Sequence, residues 1–471
     1  MTRLNKTAFF LIGATVVFTT LAYGTVHQPV IALFYLIVAG TFLLWAADCY
    51  ASGAVRFSRS PLQIPLLLLG IYGTAQIIPF GTFADAAGLT NIPRTISFEP
   101  FATQVTAVHI FVLCGFFAIA LVYLESADRL RRMVAVITVF GFIYAFYAIL
   151  QSVLSPEKIY GIYGLPFSTP FGSFVNRNDF AAIIEMTVSV PLGMMFAGAV
   201  SRDKRLLYVV AIILMGAALL LSGSRGGLVA FVSEIIILII LTTRAKGRKN
   251  IVLKAALSLL LVAAAVGGAM FVGGDTSLTR FTATSSSPDI TSNRTVIWRS
   301  TLKMIASNLP LGSGLGAYAQ AFTPFDTLSG TQRVEQAHND YLQVLADAGI
   351  VGLVIGTLFL YWFFREGIRN TREKNTFRRG VAVGAFAGCF AILIHSVFDF
   401  VLHITAISVM FLTLMAMLVA SSRKYEDDIK DFDEIPPKRQ SSASVTPISK
   451  RPVPNAGTAA QRIGVQLRTL Y

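Results

Sequence analysis

A histidine, an asparagine and an aspartate stand where the polar part of 336–353, QAHNDYLQVLADAGIVGL, becomes apolar. The chain has only 5 histidines among its 471 residues, so this position is informative. Neutral imidazole can take a proton from an attacking hydroxyl near pH 7, which makes His338 a candidate general base. A structural role competes with this one, since Asn339 or Asp340 could cap the helix that follows, with His338 only completing the turn.

A second candidate site is the turn within SGSRGGLVA, residues 222–230, which separates two apolar runs. Its glycines let the backbone approach a ligand, and N–H groups at the start of the next helix favour an anion. Ser224 and Arg225 are therefore candidate anion-binding residues. The alternative for Arg225 is an interfacial arginine whose guanidinium reaches toward lipid headgroups.

A third candidate arginine lies in the segment before His338. Arg294 stands one turn before Trp298 in a predicted helix that Ser292 would cap. The glycine-rich stretch 310–318, PLGSGLGAY, comes next. A glycine loop can wrap a phosphate, but a lone one is a weak signal, and the pattern favours an ordinary turn between two short helices.

Polar residues also cluster in FGSFVNRNDFA, residues 171–181, at the predicted outer end of an apolar run. Charged and amide side chains at the end of a membrane span are costly unless they have a partner or a task. Asn176, Arg177 and Asn178 are therefore candidate substrate-binding residues, as is Asn339 beside the candidate base.

The stretch HSVFDFVLH, residues 395–403, holds two histidines and an aspartate at the turn between the last two apolar runs. A spacing of four puts His395 and Asp399 on one helix face, if the helix continues. Both are candidate substrate-binding residues. Two histidines and one carboxylate are few ligands for a metal, so we predict no metal site and favour hydrogen bonding within the helix bundle.

The elements that must position these residues are membrane helices. The chain is 54% hydrophobic and 14% charged, with a mean hydropathy of +0.66, whereas a soluble domain carries about 25% charged residues. A spanning helix needs about 20 residues with its interfacial ends, so we predict about twelve spans in an all-α polytopic fold. The apolar runs are 9–23, 30–47, 62–79, 105–124, 133–154, 180–199, 206–221, 228–241, 255–272, 350–364, 381–397 and 403–420.

The distribution of charge predicts the orientation of these spans. With the N-terminus inside, the inner segments hold more than twice as many of the 39 Lys and Arg residues as the outer segments. The positive-inside rule then places both termini in the cytoplasm, so the net charge of +14 reports topology and no nucleic-acid partner is needed. The unusual polar residues collect on the outer side, with Glu185 and Glu234 as exceptions. Transporters place charges near the midplane, so the pattern favours a catalytic cleft open to the outer compartment.

The chain divides into a membrane domain, 1–422, and a tail, 423–471. The largest outer loop covers 273–349, and the motifs fall within 171–420. The tail mixes an acidic run with Pro- and Ser-rich sequence, which predicts a disordered cytoplasmic segment. The three cysteines include no CxxC pair, so neither structural disulfides nor a zinc site is expected.

The motifs SGSRGG, NRTVIW and HNDYLQVLADAGIVG together resemble those of the O-antigen ligase and polymerase superfamily of bacterial envelope enzymes. VNRNDFA and HSVFDFVLHI are similar to patterns in its exopolysaccharide-polymerase branches. The resemblance implies a bundle like that of the GT-C glycosyltransferases, with a large helical periplasmic loop, in the bacterial inner membrane. Its members move a glycan from a polyprenyl (undecaprenyl) diphosphate carrier to lipid A–core or to a growing polysaccharide.

The resemblance also implies roles for individual residues. The motif histidine falls on His338 as the base that activates the acceptor hydroxyl, and the motif arginines fall on Arg225 and Arg294 as ligands of the leaving diphosphate. The displacement would invert the anomeric carbon, with no metal and no cofactor. Asp340 follows the HN pair where the motif varies, and it could tune His338 or cap the helix.

Three functions remain open at this point. Ligase and polymerase fit the motifs about equally well, and they differ in whether the acceptor is lipid A–core or another lipid-linked unit. A transporter of a small anion such as bicarbonate is the third, and it would depend on Glu185 or Glu234 rather than on His338. The sequence also leaves open whether the tail binds a chain-length regulator.

Overall fold

The computed structural model describes residues 2–83, 85, 88, 90–164, 170–243, 259, 263, 294–327 and 333–422, all within one compact unit, Met1–Asp433. These residues form 13 α-helices, and the only β-structure among them is isolated bridges, which confirms the all-α prediction. The helices are α1 (Arg3–Leu21), α2 (Gln28–Ser52), α3 (Gln63–Gln76), α4 (Pro100–Tyr123), α5 (Ala127–Leu154), α6 (Arg177–Phe196), α7 (Arg205–Ser222), α8 (Arg225–Thr242), α9 (Arg294–Asn308), α10 (Tyr318–Phe322), α11 (Asp340–Asn370), α12 (Thr376–His395) and α13 (Thr405–Ala420).

Nine of the described helices are long and apolar enough to cross a membrane. The predicted twelve spans are therefore not confirmed: α3 has 14 residues and α13 has 16, which is shorter than a full crossing requires. The predicted span 255–272, apart from residues 259 and 263, and the tail 423–471 lie outside the described residues. The nine are α1, α2, α4, α5, α6, α7 with the 3-10 turn before it, α8, α11 and α12.

The centre of the bundle is the contact between α6 and α12, the two most deeply buried spans. Glycines of α12 recur every fourth residue, at Gly380, Gly384 and Gly388, and face α6. A Cβ atom built on Gly193 of α6 would lie 2.3 Å from the backbone nitrogen of Gly384. Helices in lipid gain stability from such close backbone approach, because burial from water no longer drives their association.

Helix α11 consists of two parts joined at Gly349, whose φ of 58° and ψ of −145° interrupt the helix. The loop after α9 packs into this interruption, and the backbone N–H of Ile350 donates to the carbonyl of Pro310 at 2.8 Å. The first part of α11 therefore acts as a separate short helix that carries the HND segment.

The glycine loop is a structural turn, so its use as a phosphate cradle is not supported. The N–H groups of Ser313 and Gly314 donate to the carbonyls of Ala346 and Asp347, at 3.0 and 2.9 Å. The N–H of Gly316 donates to the Asp347 carboxylate at 3.2 Å. Because these groups already have protein partners, the loop offers no row of donors to an anion.

We expect Gly349→Ala to destabilise the protein by about 1–3 kcal/mol, because alanine must adopt a positive φ there. Its Cβ would also lie 2.2 Å from the carbonyl oxygen of Pro310. Gly356→Ala is the matched control, because Gly356 lies on the same helix and a Cβ built there meets nothing within 4 Å. Thermal unfolding in detergent measures both variants, and equal midpoints would contradict this account of the kink.

Candidate active site

The polar segments meet at the carboxylate of Asp399, whose side chain is only 2% exposed. Its Oδ1 accepts from Nδ1 of His338 at 3.0 Å and from the N–H of Phe400 at 3.0 Å. Its Oδ2 accepts from Nη2 of Arg294 at 3.1 Å and from Nδ2 of Asn178 at 2.5 Å. One buried carboxylate thus joins residues at the starts of α6 and α9 to the residue before the cap of α11.

The charge state of Asp399 sets the chemistry of His338. Burial acts to raise the pKa of Asp399, but the hydrogen bond from His338 and the charges of Arg294 and the nearby histidines lower it to about 2. An ionised carboxylate only accepts hydrogen bonds, so the proton of neutral His338 must be on Nδ1. Nε2 is then a base, and the His338 side chain is 35% exposed, with no partner for Nε2 among the described residues.

The backbone at His338 is held in an unusual conformation, with φ at 50°. Asn339 caps α11, because its Oδ1 accepts from the N–H groups of Tyr341 and Leu342 at 3.0 Å each. Its Nδ2 donates to the carbonyl of Val397 at 2.9 Å. These bonds fix the residue that follows His338, and left-handed backbone held by its surroundings is typical of functional sites.

The SRGG turn packs against the start of α6 and the end of α12. Ser224 caps α8, with its Oγ accepting from the N–H of Gly227 at 3.1 Å. A Cβ on Gly226 would lie 3.0 Å from Nε2 of His395, and one on Gly227 would lie 2.8 Å from Cβ of Ala181. Only glycine permits this approach, which puts Arg225, exposed at the first residue of α8, beside the turn after α12.

Arg177 extends the same surface from the start of α6, where Asn176 is the cap and accepts from the N–H of Asn178 at 3.0 Å. A Cβ on Gly223 would lie 3.6 Å from Nη1 of Arg177, so its guanidinium reaches the turn that precedes Arg225. Asn176, Arg177 and Asn178 are all half-buried. Two capped helix starts therefore present arginines and positive dipole ends to one region.

The prediction that His395 and Asp399 share a helix face is wrong, because α12 ends at His395. Asp399 follows in a turn, where its N–H donates to the carbonyl of His395 at 3.1 Å. His395 pairs with Glu185 instead, Nδ1 to Oε1 at 3.0 Å, and both side chains are at most 1% exposed. The sequence analysis missed this pair.

Four of the predicted substrate-binding residues are placed to position other groups instead. Ser224 and Asn339 are buried helix caps, while His395 and Asp399 are buried in ion pairs. Asp340 neither caps α11 nor contacts His338, since it pairs with Nδ1 of His403 at 2.8 Å. The exposed or half-buried candidates that remain are His338, Arg225, Arg294, Asn176, Arg177 and Asn178.

The same part of the chain offers little to a metal ion. Within the described residues, no group of three or more His, Cys, Asp and Glu side chains is arranged to hold one. The arrangement can instead remove a proton at Nε2 of His338 and bind an anion at the arginines beside it.

One comparison with known proteins gives a match. Residues 210–356 match the family model described as O-Antigen ligase, which supports the resemblance to the O-antigen ligase superfamily. The match includes Arg225, Arg294 and His338, whereas Asp399 and the start of α6 lie outside it. No curated protein sequence matches the chain.

We expect Gly227→Ala to lower stability by about 1–3 kcal/mol, because overpacking displaces neighbouring atoms. Its Cβ would meet Ala181 at 2.8 Å and Oε1 of Glu185 at 2.9 Å. Gly40→Ala in α2 is the control, since its Cβ meets nothing within 4 Å. Thermal unfolding of the detergent-purified proteins separates the two. If Gly227→Ala melts like the control, the SRGG turn does not need this close approach.

Proposed function

We propose that this protein belongs to the O-antigen ligase superfamily and is a glycosyltransferase that moves a glycan from a polyprenyl (undecaprenyl) diphosphate carrier to an acceptor hydroxyl. The His338–Asp399 pair, with arginines of three helix starts beside it, carries the proposal. Such an arrangement supplies what group transfer from a diphosphate needs, which is a base for the nucleophile and fixed positive charge for the leaving group.

The base is Nε2 of His338. It removes the proton from the acceptor hydroxyl as that oxygen attacks the anomeric carbon of the donor. The new glycosidic bond forms as the bond to the diphosphate oxygen breaks, and the diphosphate leaves with the electron pair. A single displacement inverts the anomeric carbon. Ionised Asp399 stabilises the imidazolium that forms, and the proton then passes to water.

The leaving diphosphate is the group that the arginines would hold. Arginine suits this role, because its planar fork binds phosphate oxygens in pairs and stays charged. Arg225 and Arg177 extend from capped helix starts, whose dipoles also favour an anion. Arg294 donates to Asp399 and to the carbonyl of Phe398, so it connects the base to the anion site. A diphosphate departs ionised, so the mechanism needs neither a strong general acid nor a metal.

The membrane orientation belongs to the same proposal. The basic segments favour cytoplasmic termini, which puts the starts of α6, α8 and α11 at the periplasmic face of the inner membrane. We propose a membrane domain of 1–422 that carries the site within 171–420, and a cytoplasmic tail of 423–471. The acceptor is lipid A–core if the enzyme is a ligase, and a growing lipid-linked polysaccharide if it is a polymerase.

We expect His338→Asn and Asp399→Asn each to reduce transfer by about 10²- to 10⁴-fold, the usual contribution of a general base and its partner. Asparagine tolerates the left-handed backbone, so His338→Asn keeps the local fold. The assay uses detergent-purified protein, polyprenyl diphosphate-linked glycan and envelope lipid from the same organism, followed by gel shift. EDTA should leave the wild-type rate unchanged. A single addition indicates a ligase and a ladder indicates a polymerase.

The control is Arg202→Ala, which removes an exposed arginine from the turn before α7. Its rate should equal that of the wild type. Equal rates for His338→Asn and the control would remove the base from the mechanism. If no folded variant transfers glycan and the wild type also fails, transport becomes the better proposal. Bicarbonate uptake sensitive to Glu185→Gln would then support it.

We expect Arg225→Ala to reduce transfer by about 10²- to 10³-fold, because fixed charge near a developing anion lowers the barrier. Arg225→Lys should retain part of the rate, since it keeps the charge but loses the planar fork. The measurement is the rate at saturating donor beside the Arg202→Ala control. If all three variants have the wild-type rate, Arg225 faces lipid headgroups and not the diphosphate.

A further inference from the structure

A second histidine–aspartate pair lies close to the first. Nδ1 of His403 is 2.8 Å from Oδ1 of Asp340, whose Oδ2 accepts from the N–H of Leu402 at 3.2 Å. The carboxylate is 8% exposed and the imidazole 36% exposed. This matches the geometry of the His338–Asp399 pair, in which a buried carboxylate holds Nδ1 and leaves the far edge of the ring accessible.

The two pairs are crossed between the same two segments. His338 and Asp340 come from the start of α11, while Asp399 and His403 come from the segment between α12 and α13. Each histidine pairs with the aspartate of the other segment. The histidines are thereby fixed relative to one another, as two groups that act on one molecule must be.

The ring of Phe400 lies beside both histidines. Its centroid is 5.0 Å from that of His338 and 6.4 Å from that of His403, with edge-on geometry in each case. Phe400 is half-buried. Two imidazole edges and an apolar ring form a surface suited to a sugar, which presents hydroxyls at its edges and C–H groups on its faces.

The charges around His403 differ from those around the arginines that would bind the diphosphate. Arg294 and Asn178 bind Asp399 on the His338 side. The charged groups that interact with His403 are Asp340, Asp347 and His109. Burial acts to lower the pKa of His403, but the hydrogen bond and charge of Asp340 raise it overall, which favours the form that donates from both nitrogens. An imidazolium paired with a carboxylate has little net charge, so this surface suits a hydroxyl better than a diphosphate.

We propose that His403 binds the acceptor sugar, donating from Nε2 to a hydroxyl near the nucleophilic one while the sugar lies over Phe400. This inference rests on the proposed function and adds the acceptor subsite to it. Asp340 positions His403, as Asp399 positions His338. The acceptor hydroxyl that faces Nε2 of His338 is thereby selected, so His403 contributes to which linkage is made. His403 forms and breaks no bond in this role.

Two substitutions of His403 separate binding from structure. The amide of asparagine replaces Nδ1, so His403→Asn keeps the bond to Asp340 and loses the outer donor. The amide of glutamine reaches the position of Nε2, so His403→Gln restores that donor. For an acceptor-binding role, we expect His403→Asn to raise the KM for the acceptor about 3- to 10-fold, the value of one hydrogen bond. His403→Gln should recover much of this loss, and the KM for the donor should change less than about twofold in both.

The experiment varies purified envelope glycolipid as acceptor at saturating polyprenyl diphosphate-linked glycan, with thermal unfolding measured for each variant. A purely structural His403 predicts the opposite order, with asparagine tolerated and glutamine harmful. That order, or a wild-type acceptor KM in a folded His403→Asn variant, overturns the proposal while the transferase function stands. A wild-type protein that transfers no glycan overturns both.

Discussion

The ion pairs of the Asp399 carboxylate organise the rest of the site. A buried carboxylate costs several kcal/mol unless cations and hydrogen-bond donors compensate it. Asp399 is compensated by His338, Arg294 and Asn178, which belong to three segments far apart in sequence. If any of these segments moved away, the buried charge would lose one of the donors that compensate it. Because α9 and the first part of α11 pack in a second apolar cluster, separate from that of the spans, Asp399 links the two clusters.

The packing of the membrane helices determines where this carboxylate can lie. Glycines bring α12 against α6, so the end of α12 and the start of α6 arrive together. The buried Glu185–His395 pair ties the two helices one turn below the site. The glycines of the SRGG turn then let α8 approach that pair closely. The small residues within the spans allow close packing. That packing brings the helix ends, with their arginines, to the site.

Nine of the twelve predicted spans, and the polar segments, could be recognised from the sequence, because apolar length and the cost of charge in lipid are local properties. The same cost singled out Arg225 and Arg177, whereas His338 and Arg294 were also selected by the family resemblance. Sequence reasoning missed the pairing of His338 with Asp399, since 61 residues separate them and only packing brings them together. His395 and Asp399 would have shared a helix face only if α12 continued, and the helix ends at His395. One signal was present: His338 and Asp340 are two residues apart, a spacing that does not bring side chains together on a helix, so each needed a partner from another segment.

The two histidine–aspartate pairs solve a problem that follows from the proposed chemistry. In the proposed reaction the donor carries a diphosphate, and after transfer the same diphosphate is the product that must leave. An acceptor site rich in arginine would bind that anion and compete with the acceptor. Separating the arginines at the starts of α6, α8 and α9 from the nearly neutral His403–Asp340 pair avoids this competition. Because Phe400 lies beside both imidazoles, a sugar bound over it would lie between the proposed base and the second donor. The exposed edges of the His338 and His403 rings, more than the shape of the apolar bundle, would then decide which hydroxyl reacts.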